Sequence, residues 1–274
     1  MGLSILLLLL LSLLFTPISA ANLFTLVYKG CASQSFSNGG SAQTLATLSS
    51  SLTAKSASSK FYKTTSSSSA GQSISGLFQC RGDLSNKDCA ACVQNLLPML
   101  SSLCGNAVAA RVQLNGCYAL YQVSGFPQIS GTQMLFKTCG SGSAGDGFEQ
   151  KRDTAFANLQ SGMSSANGFY ATSYQSVYAM AQCEGDLSGS DCSDCVQQAV
   201  QKSEVECGGA SSGQVYLDKC YISYNYYPNG VPRDGGEVGG GGGGIGGGQT
   251  GKTFGFLVIC LLFARNLMKK KDDY

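Results

Sequence analysis

The chain has 274 residues, 43% of them hydrophobic, a formal net charge of +2, thirteen cysteines and no histidine. That length holds two small domains plus tails, and the missing histidine excludes Ser-His and Cys-His nucleophile pairs and the commonest general base. With no catalytic constellation, the chain is expected to be neither an enzyme nor a cofactor-binding protein. The small total charge hides a split: eight basic against two acidic residues from Asn22 to Cys139, then five against ten from Gly140 to Arg233. Opposite charges favour docking of the two halves, or head-to-tail association between chains, and argue against a nucleic-acid partner.

Leu3 to Phe15 is an almost unbroken leucine run followed by Pro17, Ser19, Ala20 and Ala21, which reads as a secretory signal over residues 1–21. An oxidising route turns the cysteines into expected disulfides, whereas the two C-x2-C pairs would suit zinc in a reducing compartment. Phe24 to Cys31 reads as a strand. Ser41 to Ser56 places Leu45, Leu48 and Leu52 at helical spacing behind Ser41 as a cap. Thr64 to Ala70 has no apolar period and reads as a loop. Ser73 to Cys80 is again a strand. A second helix carries Cys89, Cys92, Val93, Leu96 and Leu97 and is expected to end or bend at Pro98. Ala107 to Leu114 and Cys117 to Val123 alternate as antiparallel strands about an Asn115-Gly116 turn. Gln214 to Leu217 and Cys220 to Tyr226 do the same about Asp218-Lys219, a poorer turn sequence. Met134 to Cys139 closes the first half or opens the second.

The chain is an internal duplication. The stretch Gln79 to Gln94 returns as Gln182 to Gln197 with eleven of sixteen positions identical, and both copies read C-x8-C-x2-C-x11-C-x12-C. Twelve cysteines therefore divide six and six, and six admit fifteen pairings among which sequence does not choose. Each repeat offers about two helices and four or five short strands, an α+β unit with helices on one face of an antiparallel sheet. Three disulfides at about 2–4 kcal/mol each are expected to be a major part of its stability. Arg81-Gly82-Asp83 spells an adhesive tripeptide, but its counterpart Glu184-Gly185-Asp186 assigns Gly-Asp to turn chemistry. The carboxylates of Asp191 and Asp194 read as a solvated helix face.

Residues 234–252 form a glycine-rich linker. Phe254 to Ala264 is apolar, with Lys252 before it and Arg265, Lys269, Lys270 and Lys271 after it. This predicts a single-pass anchor over 253–267 and a cytoplasmic tail over 268–274, with a glycosylphosphatidylinositol signal as the alternative. Eleven apolar residues rise only about 16 Å as a helix against a hydrocarbon core of about 30 Å. Palmitoylation of Cys260 would help so short a span hold; otherwise Cys260 is a buried apolar thiol.

Two such cysteine repeats after a signal, then a glycine linker, one apolar segment and a basic tail, resemble the plasmodesmata-located proteins of land plants, built from ginkbilobin-type (stress-antifungal) domains. The resemblance implies two tandem disulfide-rich domains, 22–133 and 134–233, each a roughly five-stranded antiparallel sheet with two helices on one face. It implies the bridges Cys31–Cys104, Cys80–Cys89, Cys92–Cys117, Cys139–Cys207, Cys183–Cys192 and Cys195–Cys220. Mannose-binding relatives use an Asn, an Arg and a Glu at positions that here hold Ala32, Arg111 and Gln122, then Gly140, Gln214 and Asn225. Only Arg111 is retained, as a candidate carbohydrate contact or an ordinary surface or strand arginine. The implied function is a type I plasma-membrane protein at plasmodesmata, N-terminus outside, that regulates cell-to-cell traffic through callose and defence signalling. Implied partners are other membrane or wall proteins in homo- or hetero-oligomers, viral movement proteins and cell-wall polysaccharide. The alternatives are a wall-carbohydrate lectin or secreted antifungal protein, and an apoplastic redox sensor using Cys80–Cys89 or Cys183–Cys192.

Overall fold

Strand residues alternate between two faces, and in each repeat one of those faces matches the apolar stripe of two helices. The computed structural model describes residues 23–37, 40–68, 73–123 and 131–231. The first repeat runs β1 (Leu26–Cys31), α1 (Gly40–Ser56), β2 (Phe61–Ser67), β3 (Ser73–Cys80), α2 (Asn86–Cys104), β4 (Ala109–Leu114) and β5 (Cys117–Val123). Its strands form one antiparallel sheet in the order β1-β4-β5-β3-β2. The second repeat runs β6 (Met134–Cys139), α3 (Phe148–Met163), β7 (Phe169–Tyr174), β8 (Val177–Cys183), α4 (Gly189–Cys207), β9 (Ser212–Leu217) and β10 (Cys220–Tyr226). Its sheet has the same order, β6-β9-β10-β8-β7. Strand β6 pairs with β9, so Met134 to Cys139 opens the second repeat.

In the first repeat α2 buries Cys89, Cys92, Val93, Leu96, Leu97 and Leu100. With Leu48 and Leu52 of α1 they cover Ile74, Phe78, Val112, Leu114 and Ala119 of the sheet. Each large apolar side chain so buried contributes about 1.5–3 kcal/mol. The second core is built alike, from Phe156, Leu159, Met163, Val196 and Val200 over Val177, Val215 and Ile222. Buried Tyr121 and its counterpart Tyr224 each satisfy their hydroxyl on a loop carbonyl, of Ala107 at 2.9 Å and of Ala210 at 3.0 Å.

Ser85 and Ser188 cap α2 and α4, each accepting from the backbone N–H of an Asp three residues on at 3.1 Å and donating to its carboxylate at 2.7 Å. Such caps contribute about 1 kcal/mol. Three disulfides cross-link each repeat. Cys31–Cys104 and Cys139–Cys207 tie an edge strand to a helix end across 73 and 68 residues. Cys80–Cys89 and Cys183–Cys192 close short loops, and Cys92–Cys117 and Cys195–Cys220 fasten the helix to the sheet. The long-loop pair restricts the unfolded chain most.

Four local expectations are corrected. Thr64 to Ser67, expected to begin a loop, belong to the strand Phe61–Ser67. As an edge strand it needs no apolar period, and its hydroxyls bond across to β3, Thr65 to Ser75 and Ser67 to Ser73, each at 2.8 Å. Helix α2 continues through Pro98 to Cys104; Pro98 and Gln94, whose carbonyl loses its i+4 partner, both lie on the exposed face, where water replaces that bond. Helix α1 begins at Gly40, which puts Ser41 inside the first turn, buried, instead of at the cap. Neither Asn115-Gly116 nor Asp218-Lys219 takes the positive φ of a type I′ turn; among described non-glycine residues only Gln175 and Ser176, between β7 and β8, do so. The N–H groups of Asn115 and Gly116 bond instead to the carbonyls of Thr25 and Leu23, and those of Asp218 and Lys219 to Gln133 and Gly131.

The leucine run, the glycine linker, the apolar segment over 253–267 and Cys260 lie outside the described residues. Among the described residues no helix is long and apolar enough to cross a membrane.

Candidate functional site between the repeats

The face of each sheet not covered by helices carries large polar and aromatic side chains, and on these faces the two repeats meet. Gln79 at the end of β3 is 5% exposed and Gln182 at the end of β8 is 4% exposed. Burial of a carboxamide is tolerated only if both its ends are bonded. Each Gln donates to the carbonyl of the cysteine after it and accepts from the other repeat: Gly185 N–H to Gln79 Oε1 at 2.8 Å, Gly82 N–H to Gln182 Oε1 at 2.7 Å. The pair is reciprocal, as a two-fold relation between duplicated units requires.

The same two glycines face a phenylalanine of the opposite repeat. A Cβ on Gly82 would lie 2.3 Å from Cβ of Phe169, and one on Gly185 would lie 2.6 Å from Cγ of Phe61. Gly-Asp is the centre of a turn in both repeats, as expected, closed by Leu84 N–H to the Arg81 carbonyl at 3.2 Å and Leu187 N–H to the Glu184 carbonyl at 3.1 Å. Neither glycine has a positive φ, so the close approach of the phenylalanine is what requires glycine there. Between these contacts Tyr28 stacks on Phe136 with ring centroids 5.2 Å apart and meets Tyr216 edge-on at 5.4 Å, while Tyr216 stacks on Tyr221 at 4.9 Å. Aromatic pairs of this kind contribute about 0.5–1.5 kcal/mol beyond their buried area.

A charged network occupies one end of the contact. Arg111 of β4, with only 12% of its side chain exposed, donates from Nη1 to Asp218 Oδ1 at 3.2 Å and lies 4.3 Å over the ring of Tyr118. The Tyr118 hydroxyl donates to Glu184 Oε2. Lys219 donates at 3.0 Å to Glu184 Oε1 and to both oxygens of Asp186, which also accepts from Lys63 at 3.2 Å. Lys63, Arg111 and Tyr118 belong to the first repeat; Glu184, Asp186, Asp218 and Lys219 to the second. The opposite net charges of the halves are thus joined by ion pairs within the chain.

Burial pushes the Glu184 carboxyl above its ordinary value, opposed by the Tyr118 hydroxyl and Lys219. Burial likewise raises Asp218 against the pull of Arg111. At Asp186 burial is outweighed by Lys219, Glu184 and Lys63, which hold it below the usual carboxylate range. Burial and Glu184 carry the Tyr118 phenol well above its usual value.

Beside this network lies a cleft of about 380 Å³ on the helix-free face of the first sheet. It brings together Ala32, Arg111 and Gln122 and is walled by Leu135, Glu184, Asp218 and Lys219 of the second repeat. A smaller cavity of about 140 Å³ gathers Gly140, Gln214 and Asn225. Arg111 is therefore a buried interface arginine and not a surface one. In the tripeptide Arg81-Gly82-Asp83, Gly82 is covered by Phe169 and half-buried Arg81 grips exposed Asp83 through Nε and Nη2, each at 2.8 Å. Asp191 is taken up by the α4 cap, and among the described residues no group of His, Cys, Asp or Glu is arranged to hold a metal.

Sequence reasoning singled out Arg111 but missed Gln79, Gln182, Phe61, Phe169, Tyr28 and the Asp218-Lys219 pair. One signal was present: a glutamine before the cysteine in both copies, in strands otherwise apolar.

The salt stress response/antifungal family matches twice, at residues 30–124 and 137–227. Plasmodesmata-located protein 2 of Arabidopsis thaliana is 55% identical over 275 residues, spanning 91% of this chain and 89% of that protein. Plasmodesmata-located protein 1 of the same plant is 43% identical over 271 residues, spanning 90% and 89%. The crystal structure of the tandem DUF26 ectodomain of the Arabidopsis thaliana cysteine-rich receptor-like protein PDLP8 matches with a TM-score of 0.68 at 29% identity, covering 74% of this chain and 98% of that one. The corresponding ectodomain of PDLP5 gives 0.64 at 27% identity, covering 74% and 99%.

Proposed function

The chain belongs to the plasmodesmata-located proteins, built on two salt stress response/antifungal repeats, and from that premise we propose that it regulates cell-to-cell traffic through plasmodesmata. In this reading it is a single-pass type I protein of the plasma membrane whose repeats stand outside the cell and act by binding. It takes part in callose deposition and defence, and it is a docking partner for viral movement proteins. The observation that carries the reading is 55% identity to a plasmodesmata-located protein along 91% of the chain. The docked repeats support a binding role, because reciprocal Gln-Gly bonds and packed aromatic rings present both sheets as one block.

A fluorescent fusion expressed in leaf epidermis should mark paired puncta across the wall, and raising its dose should slow the spread of a diffusible fluorescent protein while callose staining rises. Diffuse apoplastic signal with unchanged spread would remove the proposal. Association with further copies or with other membrane and wall proteins belongs to the same reading. Lys55 and Lys87 on the first repeat, and Glu149, Asp194 and Glu204 on the second, are exposed and remain for contacts between chains. Lys55→Glu with Lys87→Glu should lower the sedimentation coefficient at low salt and leave it unchanged at high salt.

One observation favours a second reading, a wall-carbohydrate lectin: the two cavities gather Ala32, Arg111 and Gln122, and Gly140, Gln214 and Asn225. Glycan-array binding that is lost on Arg111→Ala would support it.

A further inference from the structure

The cleft on the first repeat holds two buried polar atoms with no partner, Nε of Arg111 and the hydroxyl of Tyr28. Unbonded buried donors are rare and call for an explanation. Arg111 spends Nη1 on Asp218, and its guanidinium also faces the Tyr28 hydroxyl, but Nε closes no aligned bond to any protein acceptor. The Nε side is the edge from which arginine takes a carboxylate through two parallel bonds. Tyr28 is 9% exposed, lies within hydrogen-bonding reach of the same guanidinium without an aligned bond to it, and lines the same cleft. The neighbouring carboxylates do not compete for the edge: Glu184 is held by Tyr118 and Lys219, and Asp218 by Nη1. The rest of the wall is largely apolar, with Leu77, Ala109, Leu120 and Leu135. A cleft of about 380 Å³ lies at the small end of the range that encloses small molecules.

We propose that this cleft binds a small monocarboxylic acid with an apolar body, its carboxylate held by Arg111 and Tyr28 and its hydrocarbon laid on Leu77, Leu120 and Leu135. The duplication explains why the site is single. At the equivalent positions the second repeat has Gln214 for Arg111, Phe136 for Tyr28, Tyr178 for Ser75 and Thr138 for Gly30. It thus lacks both head-group donors and carries larger side chains where the first repeat has Ser75 and Gly30 on the cleft wall. The proposal concerns the extracellular repeats and stands whether or not the chain regulates traffic.

The test is calorimetric titration of the full-length protein in lipid nanodiscs, with empty nanodiscs subtracted. The probes are hexanoate, cinnamate and 4-phenylbutyrate, the alcohol matching each acid, and methyl mannoside. At least one acid should bind, and its alcohol should bind about tenfold or more weakly, as loss of a charge-assisted bond predicts. Arg111→Met should abolish binding and Tyr28→Phe should weaken it by roughly three- to tenfold. Arg111 also holds the two repeats together, so a second variant leaves it in place: Gly30→Thr with Ser75→Tyr copies the second repeat's residues into the cleft. A Cβ at Gly30 meets nothing within 4 Å, and Ser75 gives up only its exposed bond to Thr65, so this variant should melt close to the parent and yet lose the acid. The proposal is overturned by no heat from any acid at about 10 mM, a limit corresponding to under 3 kcal/mol of binding. Equal affinity for acid and alcohol, binding of methyl mannoside in place of the acids, or unchanged affinity in the cleft-filling variant would overturn it equally.

Discussion

At one end of the contact between the repeats Arg111, Tyr118, Glu184, Asp218 and Lys219 form a connected ionic network; at the other, the equivalent positions hold Gln214, Tyr221, Arg81, Asn115 and Gly116. There Arg81 turns back onto Asp83 of its own repeat, and the end has no ion pair between repeats among the described residues. What the two ends share is the geometry-setting part: a glutamine accepting from a glycine N–H, and a phenylalanine seated on that glycine. What differs is the charge and the space. Duplication fixed how the sheets dock, and substitution afterwards gave only the Arg111 end a charged, open cleft.

The hardest blow to the shared part is Gly82→Val or Gly185→Val. Each puts branched carbon where Phe169 or Phe61 already stands, and overpacking of this kind costs about 3 kcal/mol or more. Thermal melts should fall by about 6–12 °C if unfolding is cooperative, at roughly 2–4 °C per kcal/mol for a chain of this size. Phe169→Ala added to Gly82→Val should recover part of the loss, because the two sites are coupled; strict additivity would show that Phe169 is not the obstacle.

Next in size is the contrast between ends. Asp218→Ala leaves the guanidinium of Arg111 buried without its counter-ion, which costs about 3–5 kcal/mol. Asn115→Ala, at the end with no ion pair between repeats among the described residues, should cost about 1 kcal/mol or less. Equal losses in chemical denaturation would mean the network adds nothing to the docking.

The strands and helices were legible because periodicity reports which face of an element is apolar, and both helix-covered cores obey it: Val93 and Leu96 in α2, Val112 and Leu114 in β4. The docking face was not legible. Gln79, Arg111, Gln113 and Tyr118 alternate with those core residues just as solvated side chains would, yet they are buried against a second sheet that periodicity does not see. The Asp218-Lys219 turn reads as a poor hairpin sequence for the same reason, since its two residues answer to Arg111 and to Glu184 and Asp186 instead of to turn geometry. Strand β2 escaped because an edge strand of threonine and serine has neither face deeply buried. Besides the repeated glutamine before the cysteine, the charge split between the halves was the property of the docking surface visible in the sequence, and its reach stopped at sign: it did not identify Lys63 or Arg111.

The smallest effect is a pH slope that separates the buried Glu184 from its neighbours. A carboxyl whose folded pKa exceeds its unfolded value binds its proton more tightly in the native state. Its contribution is therefore complete below the unfolded value and is lost as pH rises through the folded one. Glu184 is such a group, raised by burial from an ordinary 4.5 in spite of Lys219 and Tyr118. Asp186 runs the other way, losing its contribution as pH falls; Lys219 and Lys63 hold it down in wild type and in Glu184→Gln alike, so only the part it owes to Glu184 enters their difference. The substitution keeps the side chain's shape and removes the titration. Glu184→Gln should melt below wild type by a wider margin at pH 4 than at pH 7, the gap closing across the interval just above 4.5. A gap that instead widens toward neutral pH would mean that the ion pair with Lys219 outweighs the burial of Glu184, and that the charged end holds the repeats together by salt bridging alone.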